Sequence, residues 1–425
     1  MIIAVRYCSL QSHRFSPKHP DLRDIQKSPL LFCFFQLIGG VMPLKSSFDL
    51  DALFQEDPSD VRQRQETQFD AAIDESRKTV VIFGAGNLGR KVLKCLREDG
   101  IEPRAFTDNN PRLWGTNIDG VPILSPEQAS QEFGTLAVFI VAIFSPGNPI
   151  RQIIRQLTEL ECVSIIPYAV AAWKYADLRP HFSIDLPEVT YRQQAAIRQA
   201  ASLFADEESQ KEYLAQLRFR IFGSFDGLSD LRKEPQYFPH DLFRLTEKEV
   251  FIDCGAFIGD TLEGFLQECE GKFSRFIAIE PDPMNYSKLQ DMIQKMPAGV
   301  QEKIRPVQIA SGSTRGTVRF DASGTGSSAV NENGTIPVDV APLDEIATET
   351  PPTYIKMDIE GAEMDTLLGA QDLIRNHQPK LAICVYHRPD DLWKIPLWIH
   401  QVCPGYRLFL RSYNELLDVV CYAIP

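Results

Sequence analysis

A short apolar strand followed at once by a glycine turn and a helix occurs twice in this chain of 425 residues. Residues 79–83 (TVVIF) lead into a turn at 84–89, and residues 250–252 (VFI) lead into a turn at 253–259. Buried strands that alternate with helices build parallel sheets. Because the chain is too long for one ordinary domain, the two patterns predict two separate α/β domains.

The first turn reads Gly84-Ala85-Gly86-Asn87-Leu88-Gly89, and a second strand then ends at Asp108, nineteen residues after Gly89. This order of strand, GxGxxG, helix, strand and acid is the dinucleotide-binding pattern. Gly84 allows the tight turn, Gly86 lets a pyrophosphate approach, and Gly89 lets the helix pack on the strand. Asp108 would accept hydrogen bonds from a ribose. The pattern favours a nucleotide, a nucleotide-sugar or NAD at this turn, and a purely structural Rossmann module stays open as the alternative.

The second turn has a different spacing, with Asp253, Gly255 and Gly259 followed by Glu280, twenty-one residues after Gly259. In a site for S-adenosylmethionine, an acid at the strand end accepts from the ammonium of the cofactor, and glycines let the backbone approach its methionine portion. Glu280 would bind both ribose hydroxyls, and hydrogen bonds to a charged group contribute about 1.5–3 kcal/mol each. The next strand ends near Gln308, a usual border for an adenine. The residues predicted to bind this cofactor are Asp253, Gly255, Gly259, Glu280, Asp282 and Gln308.

Three runs of the C-terminal half carry a family resemblance: IKMDIEGAEMDTLLGA (355–370), FIDCGAFIGDT (251–261) and AIEPDP (278–283). Together they resemble the FkbM family of S-adenosylmethionine-dependent methyltransferases, over about residues 188–425. The resemblance implies a class I methyltransferase fold, a seven-stranded and mostly parallel sheet closed by an antiparallel hairpin. It also implies O-methylation of a sugar, a polyketide or another small hydroxylated molecule.

Ligands of open α/β sheets bind at the carboxyl ends of the strands, where His387 and Asp358 fall. O-methylation needs an aligned hydroxyl and the loss of its proton, so one of these two residues is predicted to be the catalytic base. Glu360 and Glu363 are expected at the start of the following helix, and Lys356 is expected to pair with Asp358. Asp358, Glu360 and His387 are oxygen and nitrogen donors in one neighbourhood, but their spacing matches no metal motif, and no metal is predicted.

The segment after Asp108 (DNNP, then WG and IDGVPIL) resembles Rossmann-like domains at the front of polysaccharide-modifying enzymes. Two alternatives to a methyltransferase stay open. One is an oxidoreductase or epimerase that uses the turn at 84–89 with NAD(P) or a nucleotide-sugar, and the other is a non-enzymatic protein with two nucleotide-sensing domains. A front domain that holds the nucleotide end of an activated sugar could present the sugar hydroxyl to the second site.

The expected fold class is therefore α/β: an N-terminal Rossmann-like parallel sheet domain, a helical connector and a C-terminal class I methyltransferase domain. Met42 opens an ordinary soluble N-terminus and is predicted to be the natural start. The predicted parts are a non-native or disordered leader (1–41), an N-terminal helical segment (42–76), the Rossmann-like domain (77–170), the connector (171–245) and the methyltransferase domain (246–425).

Charge and cysteine content limit the partners and the compartment. The net charge of −13 argues against a broad surface for nucleic acid. Nine cysteines without any CxxC pair predict a reduced, cytoplasmic protein. The longest apolar run, residues 30–42, is shorter than the roughly 20 residues that span a bilayer. The expected partner is a small-molecule or glycan hydroxyl acceptor, and a homo-oligomer stays open.

Overall fold

In a computed structural model of the chain, the first strand–glycine–helix pattern belongs to a six-stranded sheet. All neighbouring strands run parallel except β3, which pairs antiparallel with β4, and the order is β3-β4-β2-β1-β5-β6. The central strands are buried along their whole length, as expected for a parallel sheet with helices on its faces. The strands are β1 (Val80–Phe83), β2 (Ala105–Thr107), β3 (Asn117–Ile118), β4 (Val121–Leu124), β5 (Val138–Val141) and β6 (Ser164–Pro167). The helices between them are Asn87–Glu98, Pro126–Phe133 and Ile150–Glu159.

The structure describes residues 50–73, 79–144, 149–179, 182–228, 235–321, 329–330, 334, 336–347 and 349–425. They belong to one unit, residues 42–425. The predicted leader and the predicted start at Met42 lie outside the described residues. The predicted domain boundaries stay predictions. No helix in the described ranges combines the length and the apolar character that crossing a bilayer requires.

Helices precede and follow the front sheet. The helix Pro58–Ala72 begins with the Asp57 side chain accepting from the Ser59 backbone, a standard N-cap. The helix Glu207–Phe222 begins in the same way at Asp206 and ends at Gly223 with a positive φ of 66°. The remaining helices of this region are Asp51–Phe54 and Ala176–Leu178 (both 3-10), Tyr168–Lys174, Pro187–Tyr191 and Gln194–Ala201.

The second pattern builds a seven-stranded sheet with the order β16-β17-β15-β14-β7-β8-β9. Five strands are parallel, and the last two form an antiparallel hairpin against β15. This order confirms the predicted class I methyltransferase fold. The strands are β7 (Val250–Cys254), β8 (Arg275–Ile279), β9 (Ile304–Val307), β14 (Tyr354–Met357), β15 (Lys380–Cys384), β16 (Arg407–Ser412) and β17 (Val419–Ile424).

A small four-stranded sheet with the order β10-β13-β11-β12 is inserted after β9. Its strands are β10 (Ala310–Ser311), β11 (Gly316–Asp321), β12 (Ala329–Val330) and β13 (Ile336–Ala341). The helices of the C-terminal region are Asp260–Glu268, Pro283–Gln294, Ala298–Gln301, Leu343–Ile346, Glu363–Leu368, Gln371–His377 and Asp391–Val402.

Strand order changes direction beside β7, which has β8 on one side and β14 on the other. Such a switch point leaves a crevice at the carboxyl ends of the strands, where open α/β sheets bind ligands. β1 has the same position in the front sheet, between β2 and β5. Each glycine turn therefore lies at a switch point of its own sheet.

Candidate functional site

The turn after β7 is held against the loop after β14. Gly255 has a φ of +82°, and a Cβ atom placed on it would lie 2.0 Å from the carbonyl oxygen of Asp358. Gly259 has a φ of +102° and starts the helix Asp260–Glu268. Both predicted glycines therefore take backbone conformations that side-chain-bearing residues rarely adopt, and Gly255 also brings two strand ends into contact.

Glu280 follows β8 directly and is buried. Its Oε2 atom accepts from the backbone N–H of Phe257 at 2.8 Å, and its Oε1 atom accepts from the N–H of Asp282 at 2.9 Å. Burial raises the pKa of this carboxyl to about 7. Since each carboxylate oxygen has two lone pairs, both can still accept from a ribose hydroxyl. The structure thus places Glu280 at the end of β8 beside the glycine turn, and its binding of a ribose stays a prediction.

Asp253 lies within β7, and its side chain is fully buried. Its Oδ1 atom is 2.9 Å from the Nζ atom of Lys356, which also donates to the carbonyl oxygen of Gly255 at 2.8 Å. The expected pairing of Lys356 with Asp358 is wrong, because the parallel register sets Lys356 opposite Asp253 while Asp358 lies beyond the end of β14. Among the described residues, the Oδ2 atom of Asp253 has no hydrogen-bond partner. Burial raises the pKa of Asp253 to about 6.

Two other predicted cofactor residues lie nearby in different surroundings. Asp282 is fully buried and caps the helix Pro283–Gln294, where its Oδ1 atom accepts from the backbone of Met284 and Asn285. Gln308 follows β9 and is exposed. The capping contact explains why an acid stands at position 282. Cofactor binding by Asp282 and Gln308 stays a prediction.

Asp358 follows β14, and its two oxygens have separate partners. Its Oδ2 atom accepts from the hydroxyl of Tyr237 at 2.6 Å, and its Oδ1 atom accepts from Tyr386 at 3.3 Å. Burial alone would raise the pKa of Asp358, but Lys356 and His387 outweigh it and hold the pKa below its usual value. Asp358 does not cap the following helix, which starts at Glu363.

His387 lies beyond β15 with its side chain 2% exposed, and three carboxylates surround the ring. Its Nδ1 atom is 2.8 Å from Oε1 of Glu363, and its Nε2 atom is 3.3 Å from Oδ1 of Asp358 and 3.8 Å from Oε1 of Glu360. Burial alone would lower the pKa of His387, but the acids raise it to about 10. A protonated ring cannot accept a proton, so Asp358 suits the role of base better in this arrangement. Glu363, expected at the helix start, is there, but its carboxylate accepts from Ile359 and contacts His387.

The front turn is tightly packed at Gly84 and Gly89 and has open space at Gly86. Gly84 has a φ of +110°, and a Cβ atom on Gly89 would lie 2.0 Å from the carbonyl oxygen of Gly84. At Gly86 nothing lies within 4 Å of such an atom, and the helix Asn87–Glu98 starts there without a side-chain cap. Asp108 accepts from the backbone of Ala85 at 2.8 Å. The four predicted residues thus come together at one switch point.

Sequence reasoning missed residues that reach the site from outside the sheet. Tyr237, in the segment before β7, is buried with a φ of 71° and contacts Asp358. The Phe182 ring lies 6.2 Å from the His387 ring and 5.8 Å from that of Phe144, which follows β5 of the front sheet. None of these residues belongs to a motif, so only the tertiary structure reveals them.

Comparisons with known proteins find matches to both halves of the chain. Residues 253–417 match the family model of the methyltransferase FkbM domain, and residues 75–169 match that of the CoA binding domain. No curated protein matches the chain. Among solved structures, a methyltransferase FkbM from Methylobacillus flagellatus KT is 23% identical with a TM-score of 0.67, over 93% of this chain and 99% of its own.

Two further solved structures resemble smaller parts of the chain. A precorrin-6y C5,15-methyltransferase from Geobacter metallireducens GS-15 is 14% identical with a TM-score of 0.27, over 47% of this chain and 94% of its own. A UDP-D-quinovosamine 4-dehydrogenase from Vibrio fischeri is 26% identical with a TM-score of 0.18, over 21% of this chain and 77% of its own. By the two family models, the chain has a C-terminal part that matches the methyltransferase FkbM domain and a front part that matches the CoA binding domain, and it shares its fold with the solved FkbM methyltransferase.

Proposed function

We propose that the protein transfers a methyl group from S-adenosylmethionine to a hydroxyl of a sugar, a glycan precursor or another small molecule. The observation that carries this proposal is the pair of buried acids at the switch point of the second sheet. Asp253 lies within β7, one residue before its end, and its Oδ2 atom lacks a hydrogen-bond partner among the described residues, while Glu280 follows β8. These positions suit the ammonium and the ribose of that cofactor.

The charge of this sheet edge favours such a ligand over a dinucleotide. Five acids lie at or shortly beyond the ends of β7, β8 and β14, against the cations Lys356, His387 and Arg388. A pyrophosphate would meet repulsion there, whereas a sulfonium and an ammonium meet attraction. The five acids are Asp253, Glu280, Asp358, Glu360 and Glu363.

The residues of the second turn and of the end of β14 have separate roles in the proposed reaction. When bound, the cofactor supplies an electrophilic methyl group on a sulfonium. Asp253 and Glu280 hold its two ends, and the fixed turn between them positions the methyl by proximity. Asp358, oriented by Tyr237, accepts the proton of the acceptor hydroxyl while the oxygen–carbon bond forms and the sulfur–carbon bond breaks. The products are the methyl ether and S-adenosylhomocysteine, and the proton then passes from Asp358 to solvent.

The acceptor is proposed to reach the site from the side of the front sheet. The Phe144, Phe182 and Tyr386 rings form a continuous aromatic series that ends beside His387. Aromatic faces of this kind pack against the apolar faces of sugar rings. The uncapped helix start at Gly86 offers backbone N–H groups to a phosphate. A nucleotide-linked sugar would satisfy both features.

Transfer of labelled methyl groups tests the proposal. We expect incorporation into at least one member of a panel of nucleotide-sugars and free glycosides. Asp358→Asn should lower the rate by about 10²–10⁴-fold. Asp390→Asn should not, since Asp390 is an acid of the same region whose partner is Lys394 on the surface. Absence of transfer to every acceptor, together with NAD reduction by any of them, would overturn the proposal in favour of an oxidoreductase.

A further inference from the structure

The buried ring of His387 has carboxylates beside both of its nitrogens. Its Nδ1 atom is 2.8 Å from Oε1 of Glu363. Its Nε2 atom is 3.3 Å from Oδ1 of Asp358 and 3.8 Å from Oε1 of Glu360. An ionised carboxylate accepts hydrogen bonds and donates none. Each ring nitrogen therefore faces an acceptor, which favours a proton on both nitrogens and a ring that is an imidazolium.

Glu363 fixes this ring through Nδ1. Its side chain is fully buried at the start of the helix Glu363–Leu368. The same Oε1 atom accepts from the backbone N–H of Ile359 at 2.9 Å, so the carboxylate also holds the loop that follows β14. A buried charge without a partner is costly. The acid and the ring therefore stabilise each other's charged forms.

The cation acts on Asp358, the proposed base. Burial alone would raise the pKa of Asp358, and Lys356 and His387 hold it below its usual value. The Nε2 atom of His387 has no hydrogen-bond partner among the described residues, so its contact with Asp358 is one of charge. A contact of this kind keeps the carboxylate ionised and requires no transfer of a proton between the two side chains.

Further charged groups face the ring from other elements. Asp391 begins the helix Asp391–Val402 and Asp418 precedes β17, and both interact electrostatically with His387. Burial raises the pKa of each of these two carboxyls. A second cation is Arg388, whose Nε atom donates to the carbonyl oxygen of Gly361. Glu363 lies closer to a ring nitrogen than Asp358 or Glu360 does, and it raises the pKa of His387 more than either of them.

We propose that Glu363 is a positioning residue, which holds His387 as a fixed cation beside Asp358 and thereby keeps the base ionised. In this arrangement His387 neither accepts nor donates the proton of the reaction. The sequence predicted either residue as the base and placed Glu363 only at a helix start. The use of Asp358 as a base rests on the proposed function, whereas the charge of the ring does not.

Nuclear magnetic resonance of the full chain with isotope-labelled histidine rings tests the pair without cofactor or acceptor. The chain has seven histidines, and His387→Gln identifies the signal of His387 by its loss. Burial alone would lower the pKa of His387, but the acids raise it to about 10, so the wild-type ring should stay an imidazolium up to about pH 9. Glu363→Gln keeps the size and one acceptor oxygen, and the ring should then lose its proton at least about one pH unit lower.

Glu268→Gln is the matched control. Glu268 pairs with His240 at a partly exposed position, so this change removes an acid beside another histidine. It should leave the titration of His387 as it is in the wild type. Titration of the wild-type His387 ring near pH 7 overturns the inference, and so does a titration that Glu363→Gln leaves unchanged.

The pH dependence of methyl transfer, to an acceptor that the panel identifies, tests the effect on the base. Removing the cation raises the pKa of Asp358, so His387→Gln should lose activity mainly on the acid side. Its rate relative to the wild type should be at least about tenfold lower at pH 6 than at pH 9. A loss of the same size at every pH overturns the inference, because it is expected of a ring that accepts the proton or only packs.

Binding of S-adenosylhomocysteine separates this inference from the proposed function. If His387 titrates near pH 7 while the ligand binds, the proposed function survives and the ion pair does not. If the ring keeps its proton as expected while the ligand does not bind, the ion pair stands and the methyl-donor site does not.

Discussion

The two glycine turns share one hydrogen bond to an acid and differ in the residues that surround it. In each, the acid after the second strand accepts from a backbone N–H of the turn at 2.8 Å: Asp108 from Ala85 in the front sheet, and Glu280 from Phe257 in the second. The front turn then leaves open space at Gly86, whereas Gly255 is packed against Asp358. The shared contact shapes the turn, and the surroundings decide which ligand fits.

The two turns also differ in the charges that surround them. The front turn leads into a helix start whose backbone N–H groups favour an anion. The second turn adjoins a buried ion pair, Asp253 with Lys356, and the acid cluster around His387. A glycine-rich turn alone therefore does not identify a dinucleotide site.

The largest expected effect comes from breaking the buried pair of the second turn. Lys356→Met leaves the Asp253 carboxyl in the core without its cation, so that it either stays charged and unpaired or must take up a proton, which should cost about 3–5 kcal/mol of unfolding free energy. Urea-induced unfolding measures the loss. The control is Lys394→Met, which removes an exposed i,i+4 pair and should cost about 0.5 kcal/mol or less. Equal losses in both variants would contradict the role given to the buried pair.

The next prediction compares the space that is available for a side chain at the two turns. Gly255→Ala forces a Cβ atom toward the carbonyl oxygen of Asp358 at a φ of +82° and should cost about 1–3 kcal/mol. Gly86→Ser places a side chain in open space at a helix N-cap, so its stability should stay within about 0.5 kcal/mol. Thermal unfolding of both variants measures the difference, and a larger loss in Gly86→Ser would reverse the comparison.

A smaller effect concerns the two acids with the same backbone contact. Glu280→Ala removes an acceptor of ribose hydroxyls, so the affinity for S-adenosylhomocysteine should fall at least about tenfold. Asp108→Ala removes the equivalent contact of the front turn and should leave that affinity unchanged. Isothermal titration calorimetry measures both. If Asp108→Ala weakened binding as much as Glu280→Ala, the cofactor would not belong to the second turn alone.

The smallest effect is a pH dependence. Burial raises the pKa of Glu280 to about 7, and ribose hydroxyls bind the ionised carboxylate better than the neutral acid. The affinity for S-adenosylhomocysteine should therefore rise between pH 6 and pH 8, by up to about tenfold. The same titration of Glu280→Gln, which has no charge to gain, should lose the rise around pH 7 and keep only the smaller change that belongs to Asp253, whose pKa is about 6. A rise around pH 7 of the same size in that variant would assign it to another group.

Much of the fold could be predicted because its signals are local. The apolar strands, glycine turns and helical spacing around Gly84–Gly89 and Asp253–Gly259 lie within short stretches of chain, and the sheet order confirms the prediction. Less of the candidate site could be predicted from the sequence. The Asp253–Lys356 pair depends on the register between β7 and β14, and the contact of Tyr237 with Asp358 joins residues 121 positions apart. The register between neighbouring strands and the contacts between distant residues cannot be predicted from a single sequence.

A crystal structure of the full chain with S-adenosylhomocysteine tests the central claim most directly. We expect one molecule at the carboxyl ends of β7 and β8, with its ribose hydroxyls on Glu280 and its ammonium within hydrogen-bond distance of Asp253. A molecule bound instead at Gly84–Gly89, with the second turn empty, would contradict the account and move the methyl donor to the front sheet.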